Sequence, residues 1–145
     1  MIREATPKDI PYILDLYRKG LEELGETNIS ESCMLRKIVN SYQLAPCFLL
    51  EIDDIIAGIA GLTVITSSHN GDATLSEYMF YVLPEHRSLK NLSGLVEKSK
   101  AFASQNDFPL RLQFFTDQDQ KVRERLFEMH DFKVIAVVGV YNERR

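Results

Sequence analysis

Cysteine is scarce in this sequence, and its apolar runs are short. The two cysteines, Cys33 and Cys47, suggest neither a disulfide framework nor a zinc site, and their apolar neighbours predict two buried thiols. No apolar run approaches the length of a membrane span, and the first residues lack the apolar segment of a signal peptide. We therefore expect a cytoplasmic protein with no membrane partner and no metal.

Basic residues are too few to give the chain a positive charge. Lysine and arginine total 17 against 21 aspartates and glutamates, for a net charge of −4. Because a nucleic-acid-binding surface must neutralise phosphates, this balance argues against DNA or RNA as a major partner. With 45% hydrophobic residues and no linker or repeat, residues 1–145 are predicted to form one globular domain.

The N-terminal part of the sequence predicts a strand followed by two helices. Residues 2–5 are typical of a short strand, and Thr6, followed by proline, is typical of a helix start. An apolar stripe of helical spacing then runs as far as Gly25, which stops the helix. A second helix follows, for which Asn28 or Ser30 is the candidate cap.

The next segment predicts a β-hairpin. Residues 47–52 and 55–66 have the composition of strands, and residues 53–54 supply the turn between them. Apolar residues fall on both faces of the longer strand, so we expect it to be covered on both sides. Gly58 and Gly61 indicate a bulge or a close backbone approach.

The central segment predicts a strand, a tight turn and a helix. Residues 78–83 form an apolar, aromatic run that a proline ends, and a polar turn over residues 85–90 follows. Apolar residues then recur at helical spacing from Leu92. Free N–H groups at a helix start, with Arg87 and Lys90 beside them, suit a phosphate. An ordinary turn with two solvated cations is the alternative.

The C-terminal part adds a strand over residues 109–115, a helix over residues 120–130 and a strand over residues 133–141. The predicted element order is therefore β-α-α-β-β-β-α-β-α-β.

Three segments resemble the GCN5-related N-acetyltransferases (GNAT family). Residues 82–87, V-L-P-E-H-R, are similar to the V-x-P-x-x-R that ends the fourth strand of that family. The start, I-R-x-A-T-P-x-D-I-P-x-I, and residues 126–133, L-F-E-M-H-D-F-K, resemble its two ends, the second as L-Y-E-x-x-G-F-K. The resemblance implies the α/β (α+β) fold of the acyl-CoA N-acyltransferases. In that fold a mixed, mostly antiparallel sheet carries helices on both faces, and we expect it to splay beside Val82.

The resemblance also implies acetyl-CoA as the cosubstrate, with its pyrophosphate on the backbone amides of a turn [QR]-x-x-G-x-[GA]. Here the turn is R-S-L-K-N-L, so Lys90 and Leu92 replace small residues. The residues implied at the cofactor site are Val82, Arg87, Ser88, Leu89, Lys90, Asn91, Leu92 and Gln120.

Proton transfer is where the sequence departs from the family. The tyrosine that usually protonates the departing thiolate corresponds to Phe127, which has no hydroxyl. Glu77 interrupts an apolar strand and is the candidate base, since burial would raise its pKa; a glutamate reaching solvent is the alternative. Tyr78, Tyr81 and Tyr141 are the candidates to replace the missing tyrosine.

Two functions stay open. The first is an N-acetyltransferase acting on the amine of a small molecule or peptide; the second is a protein of the same fold that has lost catalysis and serves as a binding or structural module. The resemblance places the acceptor pocket beside the first two helices. A cationic amine is expected there if their four glutamates form its rim, whereas a solvated helix end is the alternative. These glutamates are Glu22, Glu23, Glu26 and Glu31. A homodimer also stays open.

Overall fold

Five described strands form one sheet. The computed structural model describes residues 1–113 and 120–134, with Gln120 described in its backbone alone. Neighbours in the sheet follow the order of the chain, with β1 to β4 antiparallel and β5 parallel to β4. The predicted mixed, mostly antiparallel sheet is thereby confirmed. The strands are Ile2–Glu4 (β1), Cys47–Ile52 (β2), Ile55–Thr66 (β3), Ala73–Val82 (β4) and Leu110–Arg111 (β5).

Helices cover both faces of this sheet. One hydrophobic cluster joins the first two helices to the sheet through residues such as Ile13, Ile38 and Leu49. A larger cluster joins the other two to the opposite face, through residues such as Leu95 and Leu126. The middle of β3 is buried on both sides, as predicted. The described helices are Ile10–Glu23 (α1), Glu31–Tyr42 (α2), Leu89–Gln105 (α3) and Gln120–Met129 (α4).

The predicted helix start at Thr6 is confirmed, with one 3-10 turn, Pro7–Asp9, in front of α1. The backbone N–H of Thr6 donates to Asp9 Oδ2 at 2.8 Å. Arg3 in β1 donates to both oxygens of the same carboxylate at 2.8 and 2.9 Å. These hydrogen bonds from Arg3 hold the pKa of Asp9 well below its usual value. The pair therefore fastens the start of α1 to the edge strand.

A bulge in β4 changes which side chains face which helices. Gly61 pairs with Met79 and Leu62 pairs with Glu77, so Tyr78 is the extra residue. The Tyr78 ring lies against Gly61 in the space that a Cβ would need. The expectation of a bulge or a close approach is thus confirmed at Gly61. Tyr78 and Met79 both pack in the cluster that contains α1, whereas strict alternation would send them to opposite faces.

Among the described residues, four that are not glycine adopt positive φ, and all four are aspartates. Two of them form the predicted turn between β2 and β3, where a two-residue hairpin favours this conformation. Asp131 follows α4: its N–H donates to the Glu128 carbonyl at 3.3 Å, and the Phe132 N–H donates to the Phe127 carbonyl at 2.8 Å. This is a Schellman cap, in which the left-handed position usually holds glycine. The four residues are Asp53, Asp54, Asp107 and Asp131, with φ of 50°, 63°, 55° and 58°.

Two predicted boundaries in the central segment were wrong. β4 begins at Ala73 rather than at residue 78, because its first half is polar and lacks the apolar run that marked the second half. α3 begins at Leu89 rather than near Leu92, because the Ser88 side chain caps it by accepting from the N–H of Asn91.

Smaller corrections concern the N-terminal half. The residue that caps α2 is Ser30, whose Oγ accepts from the Cys33 N–H at 3.3 Å. Cys33 is exposed, so its predicted burial was wrong, since it lies in the first turn of α2 away from the buried stripe; Cys47 is buried as expected. The strand at the N-terminus ends at Glu4.

The ends of the predicted C-terminal elements lie partly outside the described residues. Residues 114–115 of the fifth strand and 135–141 of the last strand fall there, and residues 133–134 are not in a strand. Within residues 1–113 and 120–134, no helix has the length and apolar character to cross a membrane. The same residues contain no cluster of three or more histidine, cysteine or carboxylate side chains suited to a metal ion.

Candidate functional site

The start of α3 leaves two backbone N–H groups without a partner. Leu89 and Lys90 are its first two residues, and their N–H groups make no hydrogen bond within the described part of the chain. A helix leaves its first N–H groups free because no carbonyl lies one turn before them. Together with the positive end of the dipole of this 17-residue helix, they stabilise an anion such as phosphate.

Ser88 and Asn91 use their side chains to build this helix start. The Ser88 Oγ accepts from the Asn91 N–H at 3.1 Å, and the Asn91 side-chain amide donates to the His86 carbonyl at 2.8 Å. The Leu92 N–H donates to the Ser88 carbonyl at 3.0 Å. Within the predicted cofactor segment, the open donors are therefore those of the first two helical residues, while its other members hold the turn in shape.

The Arg87 side chain points to the end of α1 and makes a two-point ion pair with Glu23. Nη1 donates to Glu23 Oε1 at 2.7 Å and Nη2 donates to Oε2, while Nε donates to the Val82 carbonyl at 2.7 Å. The guanidinium carbon lies 5.2 Å from the centre of the Tyr81 ring. The hydrogen bonds that Arg87 donates to Glu23 raise the pKa of Arg87. The expected contact of Arg87 with phosphate stays a prediction, and it would require this pair to open.

Tyr81 lies beneath that ion pair. It is 5% exposed and packs in the cluster that contains α1, next to Gly20. Burial is the main reason that its pKa is raised, and the nearby Glu23 carboxylate raises it further. A phenol in this state keeps its proton at neutral pH.

Glu77 lies where β4 and β5 separate. The last described pair of their ladder is Ser76 with Arg111, and the next N–H in that direction, from Gln113, donates to Glu77 Oε1 at 2.7 Å. Glu77 is 6% exposed, and its Oε2 is buried without a hydrogen bond within the described residues. Burial raises the pKa of Glu77 to about 8, against the opposing effect of the Gln113 N–H.

The described ladder between β4 and β5 ends at Ser76, and the Glu77 side chain takes the place of the next backbone acceptor. The residues that directly follow Gln113 lie outside the described ones, so the splay expected beside Val82 stays a prediction. Glu77 and Tyr81 pair with Leu62 and Ile59 of β3, which are three residues apart, or about 10 Å along a strand. The structure therefore does not bring these two predicted catalytic groups together.

The remaining tyrosine candidates have different surroundings. Tyr78 stacks on Tyr17 with ring centres 5.5 Å apart, and its hydroxyl interacts with the buried Cys47. Burial raises the pKa of Tyr78, so its hydroxyl belongs to the core on the α1 side. Tyr141 lies outside the described residues, and Gln120 is placed as the first residue of α4 without a described side chain.

Phe127 lies in the last turn of α4 and is partly buried. Its ring meets that of Phe132 with centres 5.5 Å apart, which is the apolar contact that often accompanies a Schellman cap. The glycine and the final phenylalanine of the resembled segment Y-E-x-x-G-F correspond to Asp131 and Phe132, which form this cap.

Two glutamates of the acidic group between the first two helices have basic partners. Glu23 binds Arg87, and Glu31 lies 3.5 Å from Arg18. Neither arginine was anticipated as a partner, because Arg87 is 64 residues away in the chain and Arg18 belongs to the preceding helix.

A groove of about 820 Å³ runs along α3 on the side of β1 and β2. It begins at Leu89 and Lys90 and continues past Gly94 and Ala101. The two residues whose N–H groups are free thus line one end of the groove. Neither Glu77 nor Tyr81 lines it.

Solved structures share this fold along the whole chain. A "probable acetyltransferase" has 21% identity and a TM-score of 0.75, over 98% of this chain and 95% of that one. A predicted acetyltransferase from Clostridium acetobutylicum, solved with acetyl-CoA, has 17% identity and a TM-score of 0.77 over the same shares. The aminoglycoside acetyltransferase AAC(6')-Iy, solved with the bisubstrate analogue CoA-S-monomethyl-acetylneamine, has 14% identity and a TM-score of 0.73, over 100% of this chain and 98% of that one. The sequence matches no protein-family model and no curated protein. The chain thus has the fold of the GCN5-related N-acetyltransferases, and the predicted fold class is confirmed.

Proposed function

We propose that this protein is an acetyl-CoA-dependent N-acetyltransferase that passes the acetyl group directly from the thioester to an amine. The observation that carries the proposal is the pair of free N–H groups of Leu89 and Lys90 at the carboxyl end of β4, in a chain with the acetyltransferase fold. These groups suit the oxygens of a diphosphate, and the exposed Lys90 side chain adds positive charge.

Glu77 is the proposed base. An attacking amine must be neutral, so its proton has to pass to a base directly or through water. A carboxyl with a pKa of about 8 is half ionised at about pH 8, and its ionised form can take a proton from an ammonium group. Oε2 of Glu77, which has no hydrogen-bond partner within residues 1–113 and 120–134, is the atom proposed for this step.

Departure of the CoA thiolate needs little assistance from a general acid. A thiol pKa of about 8.5 means that the thiolate can leave unprotonated near neutral pH at a small cost. Phe127 supplies no proton. Tyr81, whose pKa is raised, and Tyr141 are the proposed alternatives, and solvent is the third.

A small-molecule amine is the proposed acceptor. AAC(6')-Iy was solved with an analogue that joins CoA to acetylneamine, and Glu22 and Glu26 at the end of α1 are exposed carboxylates that would attract a cationic amine. A peptide amine, the cytoplasmic location and the homodimer stay predictions.

A non-catalytic binding module is the second candidate. Lys90 and Leu92 occupy positions where the resembled motif has small residues, and Phe127 replaces a tyrosine. These three substitutions favour a protein that has kept the fold and lost the reaction.

Acetyl-CoA titration by calorimetry, with a variant that removes one backbone donor, tests the cofactor site. Leu89 is the first residue of α3, where proline is well tolerated, and Ser88 before it has the extended backbone that precedes proline (φ −78°, ψ 154°). Leu89→Pro should therefore leave the helix intact while removing one N–H. A hydrogen bond to a charged group contributes about 1.5–3 kcal/mol, so Leu89→Pro should weaken binding at least about tenfold more than Leu89→Ala.

Leu89→Ala is the matched control because it loses the same side chain and keeps the N–H. Equal affinities of the two variants would rule out this amide as a phosphate ligand. Release of free CoA with a panel of amines then separates the two functions. If wild type binds acetyl-CoA and acetylates no amine, the binding module is the correct function.

A further inference from the structure

The pair formed by Arg87 and Glu23 is enclosed rather than a surface contact. The Arg87 and Glu23 side chains are 15% and 19% exposed, and each terminal nitrogen of the guanidinium donates to one oxygen of the carboxylate. The Tyr81 ring covers one face of the guanidinium. A partly desolvated two-point pair of this kind is stronger and more directional than an exposed ion pair.

This pair links the end of α1 to the turn before α3. Glu23 is the last residue of α1, at the negative end of that helix dipole. Arg87 directly precedes Ser88, the cap of α3, and its Nε binds the carbonyl of Val82 at the end of β4. The backbone that carries the free N–H groups of Leu89 and Lys90 is therefore fixed to α1 and to β4 by one side chain.

The ion pair with Glu23 disfavours phosphate binding by the Arg87 side chain. Turning its guanidinium toward a ligand would leave the Glu23 carboxylate without its cation in a largely enclosed place at the negative end of a helix. Removing one partner of such a pair is costly. The same argument explains how an arginine in the predicted position can matter for cofactor binding without touching the cofactor.

We propose that Glu23, Tyr81 and Arg87 form a clasp that holds the turn before α3 in the conformation that presents the Leu89 and Lys90 N–H groups to acetyl-CoA. Glu23 is then a positioning residue for the cofactor, 64 residues before Arg87 in the chain. This inference rests on the proposed function.

Glu23→Gln distinguishes the clasp from direct phosphate binding by Arg87, because these two roles of Arg87 predict different changes in the affinity for acetyl-CoA. If Arg87 positions the backbone, losing the carboxylate loosens the turn and weakens acetyl-CoA binding. If Arg87 is a phosphate ligand, losing its competitor frees the guanidinium and leaves binding equal or tighter.

The experiment is a double-mutant cycle followed by calorimetric titration with acetyl-CoA. We expect Glu23→Gln and Arg87→Met each to raise the dissociation constant about tenfold, within the range seen for residues that act through others. The double variant should be about as weak as each single variant, because both remove the same clasp. Asp15→Asn is the matched control: it breaks an exposed ion pair with Lys19 on the same helix, and its affinity should equal that of wild type.

Titrations are run at a temperature where thermal unfolding shows every variant to be folded, so that loss of stability alone does not change the result. If Glu23→Gln does not fold, Glu23→Asp replaces it, since the shorter side chain keeps the charge and loses the two-point reach. Equal or tighter binding by the Glu23 variant, or additive losses in the double variant, overturns the clasp. No binding by wild type overturns the proposed function instead.

Discussion

Glu77→Gln should make the protein more resistant to unfolding at alkaline pH, with little gain at acid pH. Burial raises the pKa of Glu77 from 4.5 to about 8. Between these pH values the folded protein holds a proton that the unfolded chain has lost. The free energy of unfolding of wild type therefore falls as pH rises, by about 1.4 kcal/mol per pH unit, for a total of up to about 5 kcal/mol.

The substituted side chain keeps the local geometry. Its amide oxygen can still accept from the Gln113 N–H, as Glu77 Oε1 does at 2.7 Å, and it carries no ionisable proton. The free energy of unfolding of the variant should therefore not show the fall with rising pH that Glu77 causes in wild type. A change of up to about 5 kcal/mol is a large part of the 5–15 kcal/mol that stabilises a typical domain.

Urea unfolding of both proteins at pH values from about 5 to about 9 measures the difference. Other shifted groups lie outside this window: the pKa of Asp9 is well below it, and burial raises the pKa of the Cys47 thiol to about 12. The stability of the variant minus that of wild type should grow with pH and level off above about 8. Parallel pH profiles for the two proteins would refute the reasoning and show that Glu77 ionises at its ordinary pH.

Two further predictions concern α4 and its cap. Phe127→Tyr should leave the fold intact, since the ring volume is almost unchanged. It should raise the rate of acetylation of basic amines, because general-acid assistance contributes roughly 10²–10⁴-fold. An assay with a panel of amines measures this rate, and a slower variant would place the acid elsewhere. Asp131→Gly should stabilise the protein by about 1 kcal/mol, because glycine adopts the φ of 58° seen here without the cost that a side chain brings. Urea unfolding at neutral pH checks this value, and an unchanged or lower stability would contradict it.

Features set by neighbouring residues could be predicted from the sequence. Thr6 and Pro7 define a helix start by their own backbone chemistry, and Asp53 with Asp54 defines a hairpin turn because few other pairs accept two positive φ values. The strand, turn and helix around Pro84 followed from the same kind of local preference.

Features set by distant residues could not be predicted in this way. Nothing in the spacing of Glu23 and Arg87 shows that they meet, because the contact depends on how α1 crosses the end of β4. The bulge at Tyr78 has a similar origin: it arises from the packing of its ring against Gly61, and strict alternation would place Tyr78 and Met79 on opposite faces. Glu77 was identified as an interruption of an apolar run, but its partner, the Gln113 N–H, depends on where β5 leaves the sheet.

The two free donors at the start of α3 also have a genetic consequence. They belong to the main chain, so nearly every codon change at positions 89 and 90 leaves them in place, and only proline removes one. A mutational scan of side chains would therefore not reveal these two donors, which in our proposal face acetyl-CoA. A signature motif written in side chains can be incomplete in such a turn, as it is at Lys90 and Leu92, while the main-chain donors remain.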